Sequence, residues 1–141
     1  MADVIYNSFK QKIMDGSIDL DTDTIKVALV TSSYTVDQDA HEDYADITNE
    51  VANGNGYTTG GESLANKAVT KDNTDNEGVF DADDVTWAAS TITARGAIVY
   101  KSTGVAGTSW FICYLDFGSN QSSSSGNFTI QWNAEGILNL A

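Results

Sequence analysis

Two apolar segments between residues 91 and 118, joined by a polar connection, constrain the fold more than any other feature of the chain. The first, residues 91–100, carries Ile92, Ala97, Ile98 and Val99. In the second, residues 110–117, two apolar sets alternate: Trp110, Ile112 and Tyr114 with Phe111, Cys113 and Leu115. This composition predicts a central β-hairpin that is apolar on both faces. Because such a hairpin needs cover on both sides, the remaining segments should form layers over it or strands at its edges.

An amphipathic helix is predicted over residues 2–15. Ile5, Phe9 and Ile13 are spaced four residues apart and would share one helical face, and Gly16 is placed to end the helix. Such a helix either closes one end of the core or binds a partner. Both alternatives stay open, and a binding surface would include this helix face or the apolar C-terminal tail, residues 137–140.

The rest of the chain reads as short strands joined by turns. Strands are expected at residues 24–31, 64–70, 79–80, 85–87 and 128–132, and a mobile loop at residues 119–126. The total of six to eight short antiparallel strands and one N-terminal α-helix predicts a mainly β fold, either a β-sandwich or a small barrel. We expect a single domain over residues 1–141, with a helical segment at 1–16 and a β core at 24–141 that includes a long acidic loop at 32–62.

Charge is the strongest fact of composition. Twenty acidic residues stand against seven basic ones, for a formal net charge of −13, and 18 of the 20 acids precede Thr91. Nucleic-acid binding is disfavoured, since phosphate neutralisation needs a basic patch. Because most of the acids precede Thr91, the first two-thirds of the chain should face water, and the C-terminal third should supply core and contact surface. No stretch approaches the ~18 apolar residues of a membrane span, so we expect a soluble protein made in a cytoplasm.

Residues suited to catalysis are sparse. The single histidine, His41, lies in the acidic loop, and the single cysteine, Cys113, lies in an apolar strand where it should act as a small hydrophobe. A nucleophile with an adjacent base, a zinc ligand set and a phosphate-binding loop are all missing from the sequence. We therefore expect a protein that is not an enzyme and needs no cofactor.

The spacing of Asp19, Asp21 and Asp23 resembles the opening of a calcium-binding EF-hand loop. The glycine required at the sixth position is Thr24, and the acid required at the twelfth is Val30, so an EF-hand is excluded. A looser calcium site, built from these aspartates or from a second group, remains an alternative to simple solvated turns. The second group is Asp81, Asp83 and Asp84.

Two further residues are candidates for structural or interface roles. Arg95, the single arginine, lies within the apolar hairpin and needs a carboxylate or carbonyl partner, which predicts a structural ion pair or an inter-subunit contact. Trp132 lies on the last predicted strand. Together with Trp87 and Trp110 it would form either a sugar-stacking platform or, as is commoner in strands, part of the core.

The order of segments resembles a family of small virion structural proteins of tailed bacteriophages. The resemblance rests on residues 18–31 (IDLDTDTIKVALVT), 45–51 (ADITNEV), 79–87 (VFDADDVTW), 91–100 (TITARGAIVY) and 128–138 (FTIQWNAEGIL), after a short N-terminal helix ending in Asp-Gly. It spans nearly the whole chain. Its motifs mark elements of the fold, so no functional residue is carried over.

The resemblance implies a capsid decoration or cement protein on the outer face of the phage head. Its partners would be the major capsid protein or other virion proteins, and repetition on a symmetric particle would favour a homo-oligomer, a trimer or a dimer. Two alternatives remain. One is a tail or neck component. The other is a carbohydrate-binding module of a fibre, using exposed aromatic side chains such as Tyr34, Tyr44 and Tyr57.

Overall fold

The computed structural model describes residues 2–141 and has a mainly β fold with one helix near the N-terminus. Strands take up 43% of the residues and helices 10%, so the predicted fold class is confirmed. The helix is α1 (Asn7–Met14), and short 3₁₀ turns lie at Tyr44–Asp46 and Ala106–Thr108. The strands are β1 (Val4–Ile5), β2 (Ile25–Val30), β3 (Glu62–Ser63), β4 (Ala68–Asp72), β5 (Glu77–Asp81), β6 (Val85–Ser90), β7 (Thr93–Lys101), β8 (Phe111–Ser122), β9 (Gly126–Ile130) and β10 (Leu138–Leu140).

The strands form three antiparallel sheets. A five-stranded sheet has the order β1-β8-β7-β2-β3, a three-stranded sheet the order β10-β5-β4, and β6 pairs with β9. The central hairpin is β7–β8, in the middle of the largest sheet. Ten strands stand where six to eight were predicted. The excess comes from β1, β3 and β10, which are only two or three residues long and too short to give a periodic pattern.

Both faces of the hairpin are covered. Ala97 and Val99 point into a core shared with the two smaller sheets, which supply Phe80, Trp87 and Phe128 among others. The neighbouring Ile98 lies in a second cluster on the other side of the sheet. That cluster is closed by aromatic and aliphatic side chains of the segment after β2: Tyr34, Val36, Tyr44 and Ile47. The acidic loop at residues 32–62 therefore forms a third layer over the sheet.

The helix is shorter than predicted. Residues 4 and 5 form β1, where Val4 pairs with Tyr114 and Ile5 with Cys113. Tyr6 has the extended backbone of a helix N-cap, with φ −65° and ψ 141°. The prediction of one helical face for Ile5, Phe9 and Ile13 is thus wrong for Ile5. Met1 of the predicted helical segment lies outside the described residues. No helix within residues 2–141 has the length and apolar character needed to cross a membrane.

The second arm of the hairpin does not alternate strictly. The register shifts between Val99 and Tyr100, which pair with Cys113 and Phe111, so Ile112 is bulged. As a result Ile112 and Cys113 both face the main core.

Another correction concerns the predicted mobile loop at residues 119–126. β8 continues to Ser122 and β9 starts at Gly126, which leaves only residues 123–125 as a turn. Hydroxyl bonds compensate for the missing apolar side chains, since Thr93 and Ser122 Oγ atoms lie 2.9 Å apart across β7 and β8. The serine-rich composition therefore predicts a loop where the structure has the ends of two strands. The last predicted strand, at residues 128–132, lies two residues earlier, because β9 starts at Gly126 and ends at Ile130.

Asparagine and glycine make the turns of this proline-free chain. Within residues 2–141, four of the six non-glycine residues with positive φ are asparagines: Asn49, Asn55, Asn66 and Asn76. These short polar side chains tolerate the left-handed conformation better than other residues do. The 3₁₀ turn at Tyr44–Asp46 is held by a capping box that Asp43 and Asp46 form.

Candidate functional site

An apolar groove lies between α1 and the three-stranded sheet. Its cavity volume is about 490 Å³, within the usual range of ligand sites. One wall comes from β1, α1 and the turn that follows: Ile5, Phe9, Lys10, Ile13, Met14 and Leu20. The other wall comes from β4, β5 and β10: Val69, Gly78, Val79, Phe80, Leu138, Asn139 and Leu140.

Strand register explains why the groove is open. Across the three-stranded sheet, Phe80 lies between Val69 and Leu138 in one row of side chains on the groove side. In the next row on that face the centre is Gly78, between Lys71 and Leu140. A Cβ at Gly78 would meet no atom closer than 4.0 Å, so there is room for a side chain that the sequence does not supply.

The groove collects the exposed apolar side chains. In residues 2–141 four large hydrophobic residues are exposed, and three of them line the groove: Met14 at 87%, Val69 at 53% and Leu140 at 70%. Scattered exposed hydrophobes are ordinary on protein surfaces, but a contiguous group beside a cavity indicates a binding surface.

The charge of the groove is opposite to that of the chain. Lys10 is the one charged residue in the lining, which contains no carboxylate. Its ammonium group donates to Asn7 Oδ1 at 3.3 Å and makes no ion pair with any residue in 2–141. Lys71 lies on the same face of the sheet, one row along from Val69. A protein with 20 acidic and seven basic residues thus presents only basic groups here.

The structure brings together three of the five candidate residues. Ile5, Phe9 and Ile13 all line the groove, Ile5 from β1 and the other two from α1. The two proposed contact regions, the N-terminal helix and the C-terminal tail, form opposite walls of one site. Sequence reasoning missed Val69 and Gly78. Its only available signal was Val69 itself, a β-branched apolar residue on a strand whose other side chains are small or polar.

Arg95 lies away from the groove. Its Nε donates to Asp116 Oδ1 at 2.8 Å across β7 and β8. This carboxylate also accepts from Gly118 N at 2.7 Å, and Arg95 followed by that backbone N–H lowers the pKa of Asp116 below its ordinary value. The two side chains are 36% and 42% exposed, so the pair lies at the surface rather than inside an apolar strand.

Trp132 is also outside the groove. It is buried, its indole N–H donates to Asp83 O at 2.9 Å, and its backbone N–H donates to Asp84 Oδ1 at 2.9 Å. Trp87 is buried too, at 2% exposure. Two of the three tryptophans are therefore core residues and cannot form a sugar-stacking platform.

The Glu50 carboxylate connects the acidic loop at residues 32–62 to the five-stranded sheet through hydrogen bonds. Glu50 accepts hydrogen bonds from the Tyr44 hydroxyl, from the Tyr57 hydroxyl at 2.6 Å and from Gly60 N at 2.7 Å. The Tyr57 oxygen in turn accepts from Leu29 N of β2 at 3.0 Å. Burial and then the neighbouring Glu50 raise the pKa of Tyr57 far above its ordinary value. This network is structural, because every polar atom in it is directed at another part of the fold.

The aromatic residues proposed for carbohydrate binding are not exposed. Tyr34 is 6% and Tyr57 is 2% exposed, and Tyr44 is partly buried and stacked on Tyr100 with ring centroids 5.1 Å apart. The expectation that these three side chains are exposed is wrong.

His41 and Cys113 do not form a pair of nucleophile and base with each other. His41 Nδ1 lies 2.9 Å from the Tyr34 hydroxyl, which in turn lies 2.9 Å from the Tyr6 hydroxyl. Cys113 is fully buried, and burial raises the pKa of its thiol to about 12. A thiol with that pKa stays protonated at neutral pH and is inert.

In the first group of aspartates considered for calcium binding, Asp19 and Asp23 make contacts within the fold. Asp19 Oδ1 accepts from the backbone N–H of Asp21 at 3.1 Å, and Asp23 pairs with Lys101 at 3.0 Å. In residues 2–141 a different set of carboxylates comes together, with oxygens within 4.8 Å: Asp75, Glu77 and Glu135. Asn139 bridges this set, donating to Glu77 Oε1 at 2.5 Å and to Glu135 O at 2.9 Å. These bonds fasten β10 to its neighbours.

Comparison of the chain with protein-family models, with curated proteins and with solved structures finds no match. The resemblance to phage virion proteins therefore stays a prediction, and the geometry of the groove is the main guide to function.

Proposed function

We propose that this chain is a non-enzymatic structural protein of a tailed-bacteriophage virion, a decoration or cement protein that binds the outer face of the head and stabilises it. The family resemblance is the reason for proposing a virion protein. The groove between α1 and β10 is the observation that carries the proposal, because it offers a surface through which the chain could bind a neighbouring protein.

Attachment through the groove is energetically plausible. Met14, Val69 and Leu140 expose apolar side chains that a neighbouring protein would remove from water. Burial contributes about 0.8 kcal/mol per CH₂ group, so a few side chains on each partner give several kcal/mol before the entropic cost of association. Many identical contacts on one particle would add up to a large stabilisation of the shell.

Charge supports the outer surface. A net charge of −13 is repelled by packaged DNA, whereas the outer face of a shell imposes no such penalty. The same charge keeps free copies apart in solution. Symmetric copies on the head, as trimers or dimers, remain part of the proposal.

A carbohydrate-binding module is less well supported, because Tyr34 and Tyr57 are buried. Tail or neck placement uses the same chemistry of attachment and differs only in copy number and position. It is therefore an outcome to be separated by experiment.

The proposal is tested on particles assembled without this protein. Purified protein is added back, bound copies are counted by quantitative gel analysis, and release of DNA on heating is followed. We expect many copies per particle and a higher temperature of DNA release. Binding of a few copies with no change in heat resistance would indicate a tail or neck component, and no binding would refute the proposal.

A further inference from the structure

We propose that the groove binds an extended segment of another protein, one that carries aliphatic side chains at alternate positions and a carboxylate next to Lys10. This inference deepens the proposed function, since it specifies the partner of the same site. It also makes a claim about peptide chemistry that holds or fails without any virion.

The shape of the groove fits a strand. Its walls include β1, an edge strand of the five-stranded sheet, and β10, an edge strand of the three-stranded sheet. β10 pairs only with β5 among the described strands, and all three of its residues line the groove. An extended segment lying in the groove, beside β10 and against the face of the three-stranded sheet, can direct every second side chain into the apolar space over Gly78.

The empty position at Gly78 indicates what the side chains are. The space above Gly78 lies between Leu140 and Lys71, and the next row of the same face carries Phe80 and Leu138. An aliphatic side chain placed there would cover the apolar groups of these residues, whereas a polar one would give up hydrogen bonds to water beside them. The partner should therefore supply leucine, isoleucine or valine.

The positive charge at the groove favours a partner segment that carries a negative charge. Lys10 is the one charged residue of the lining, and Lys71 follows on the same face. A carboxylate on the partner would pair with Lys10 beside apolar surface, where water screens the pair less than in bulk solvent. A second copy of this chain is disfavoured as the occupant of the groove, because each molecule carries a net charge of −13, and the symmetric copies proposed on the head would contact one another elsewhere.

The probes are peptides selected from a displayed random-peptide library with the purified full chain as bait. Selected sequences are synthesised, and their affinities are measured by isothermal titration. Gly78→Ile fills the groove, and Lys10→Glu reverses its charge. Each has a matched control outside the groove. Gly107→Ile adds the same side chain where a Cβ meets nothing within 4 Å, and Lys26→Glu makes the same charge change on β2.

We expect selected peptides with alternate aliphatic residues and an Asp or Glu. Their affinity should fall about tenfold or more with Gly78→Ile and Lys10→Glu and stay within about twofold with the controls. Selection of peptides without acidic residues, or equal binding by all variants, would overturn the inference. If Gly78→Ile fails to fold, Leu140→Asp replaces it, since Leu140 is 70% exposed.

Two other occupants are outcomes of the same experiment. Dodecanoate that binds wild-type protein when no peptide does would identify a lipid site and overturn the inference. Self-association in sedimentation that Gly78→Ile abolishes would identify a second copy and also overturn it.

Failure of the inference is distinguishable from failure of the proposed function. If the wild-type chain binds phage heads and the Gly78→Ile variant binds them equally well, the virion role holds but attachment does not use the groove. If peptides bind in the groove but the chain does not bind particles, the partner chemistry holds and the virion role fails.

Discussion

Leu140 on β10 lies directly opposite Gly78 on β5, in the row of side chains that faces α1. Glycine leaves the centre of that row empty, so Leu140 has no neighbour to cover it and remains 70% exposed. One row away Phe80 fills the same position between Val69 and Leu138 and is 2% exposed. The difference between one closed row and one open row creates the groove.

Substitutions in the two rows should therefore differ in their effect on stability: the open row contributes little to it, and the closed row contributes much. Leu140→Asp is expected to change the free energy of unfolding by no more than about 0.5 kcal/mol, because the side chain is already in water. Phe80→Ala should cost about 3–5 kcal/mol, since it opens a cavity in the core. Chemical denaturation measures both values. A cost for Leu140→Asp as large as that of Phe80→Ala would mean that Leu140 is part of the core.

Glu50 is expected to be a stability residue. Glu50→Ala removes the acceptor of the Tyr57 and Gly60 hydrogen bonds and leaves partly buried donors unsatisfied, at a cost of about 1–3 kcal/mol. Glu62→Ala, which alters an exposed side chain on β3, is the matched control and should change stability by less than about 0.5 kcal/mol. The two variants are compared by urea unfolding, and equal effects would contradict the role assigned to Glu50.

All six tyrosines should resist ionisation while the protein is folded. Burial is the largest cause in each case, and it raises the pKa of Tyr34 to about 12 and those of the other five above their ordinary value: Tyr6, Tyr44, Tyr57, Tyr100 and Tyr114. Because the unfolded tyrosines have a pKa of about 10, the stabilisation is complete below that pH and is lost as the pH rises above it.

An alkaline titration followed by tyrosine absorbance tests this expectation. Ionisation should lag behind that of free tyrosine and then occur together with loss of the circular dichroism of the fold. Several tyrosines that ionise near pH 10, with the fold intact, would contradict the burial described here.

Asp116 should make folding sensitive to acid. Arg95 and the Gly118 N–H lower its pKa in the folded state, so its contribution is present above the unfolded value of about 3.9 and is lost as the pH falls through the lowered value. Arg95→Met should weaken this dependence and leave stability at neutral pH little changed, because the pair is exposed and screened by water. Unfolding curves at a series of acidic pH values give the comparison. Parallel curves for wild type and Arg95→Met would contradict the assignment.

Pattern alone predicts the centre of this fold well. Residues 97–99 of β7 alternate between two cores as expected, because each strand residue points to the opposite face from its neighbour. Ile5 is misassigned for an equally physical reason. Its spacing from Phe9 and Ile13 is helical, but the backbone pairing of Ile5 with Cys113 overrides that local periodicity.

The groove could be predicted only in part. Its helix wall and its C-terminal wall are both apolar in the sequence, which predicts each of them as a contact region. Their meeting depends on β5 lying between β4 and β10, a long-range pairing that no local pattern encodes. Gly78 gives no signal either, since a glycine in a strand shows its effect only when its neighbours are known.

Electron microscopy of purified particles carrying tagged copies of the chain tests the central claim most directly, because it gives position and copy number together. The account predicts many symmetric densities on the outer surface of the head, with the wall formed by α1 and β10 against the shell. Density confined to the tail or neck, or its absence from the particles, would contradict it.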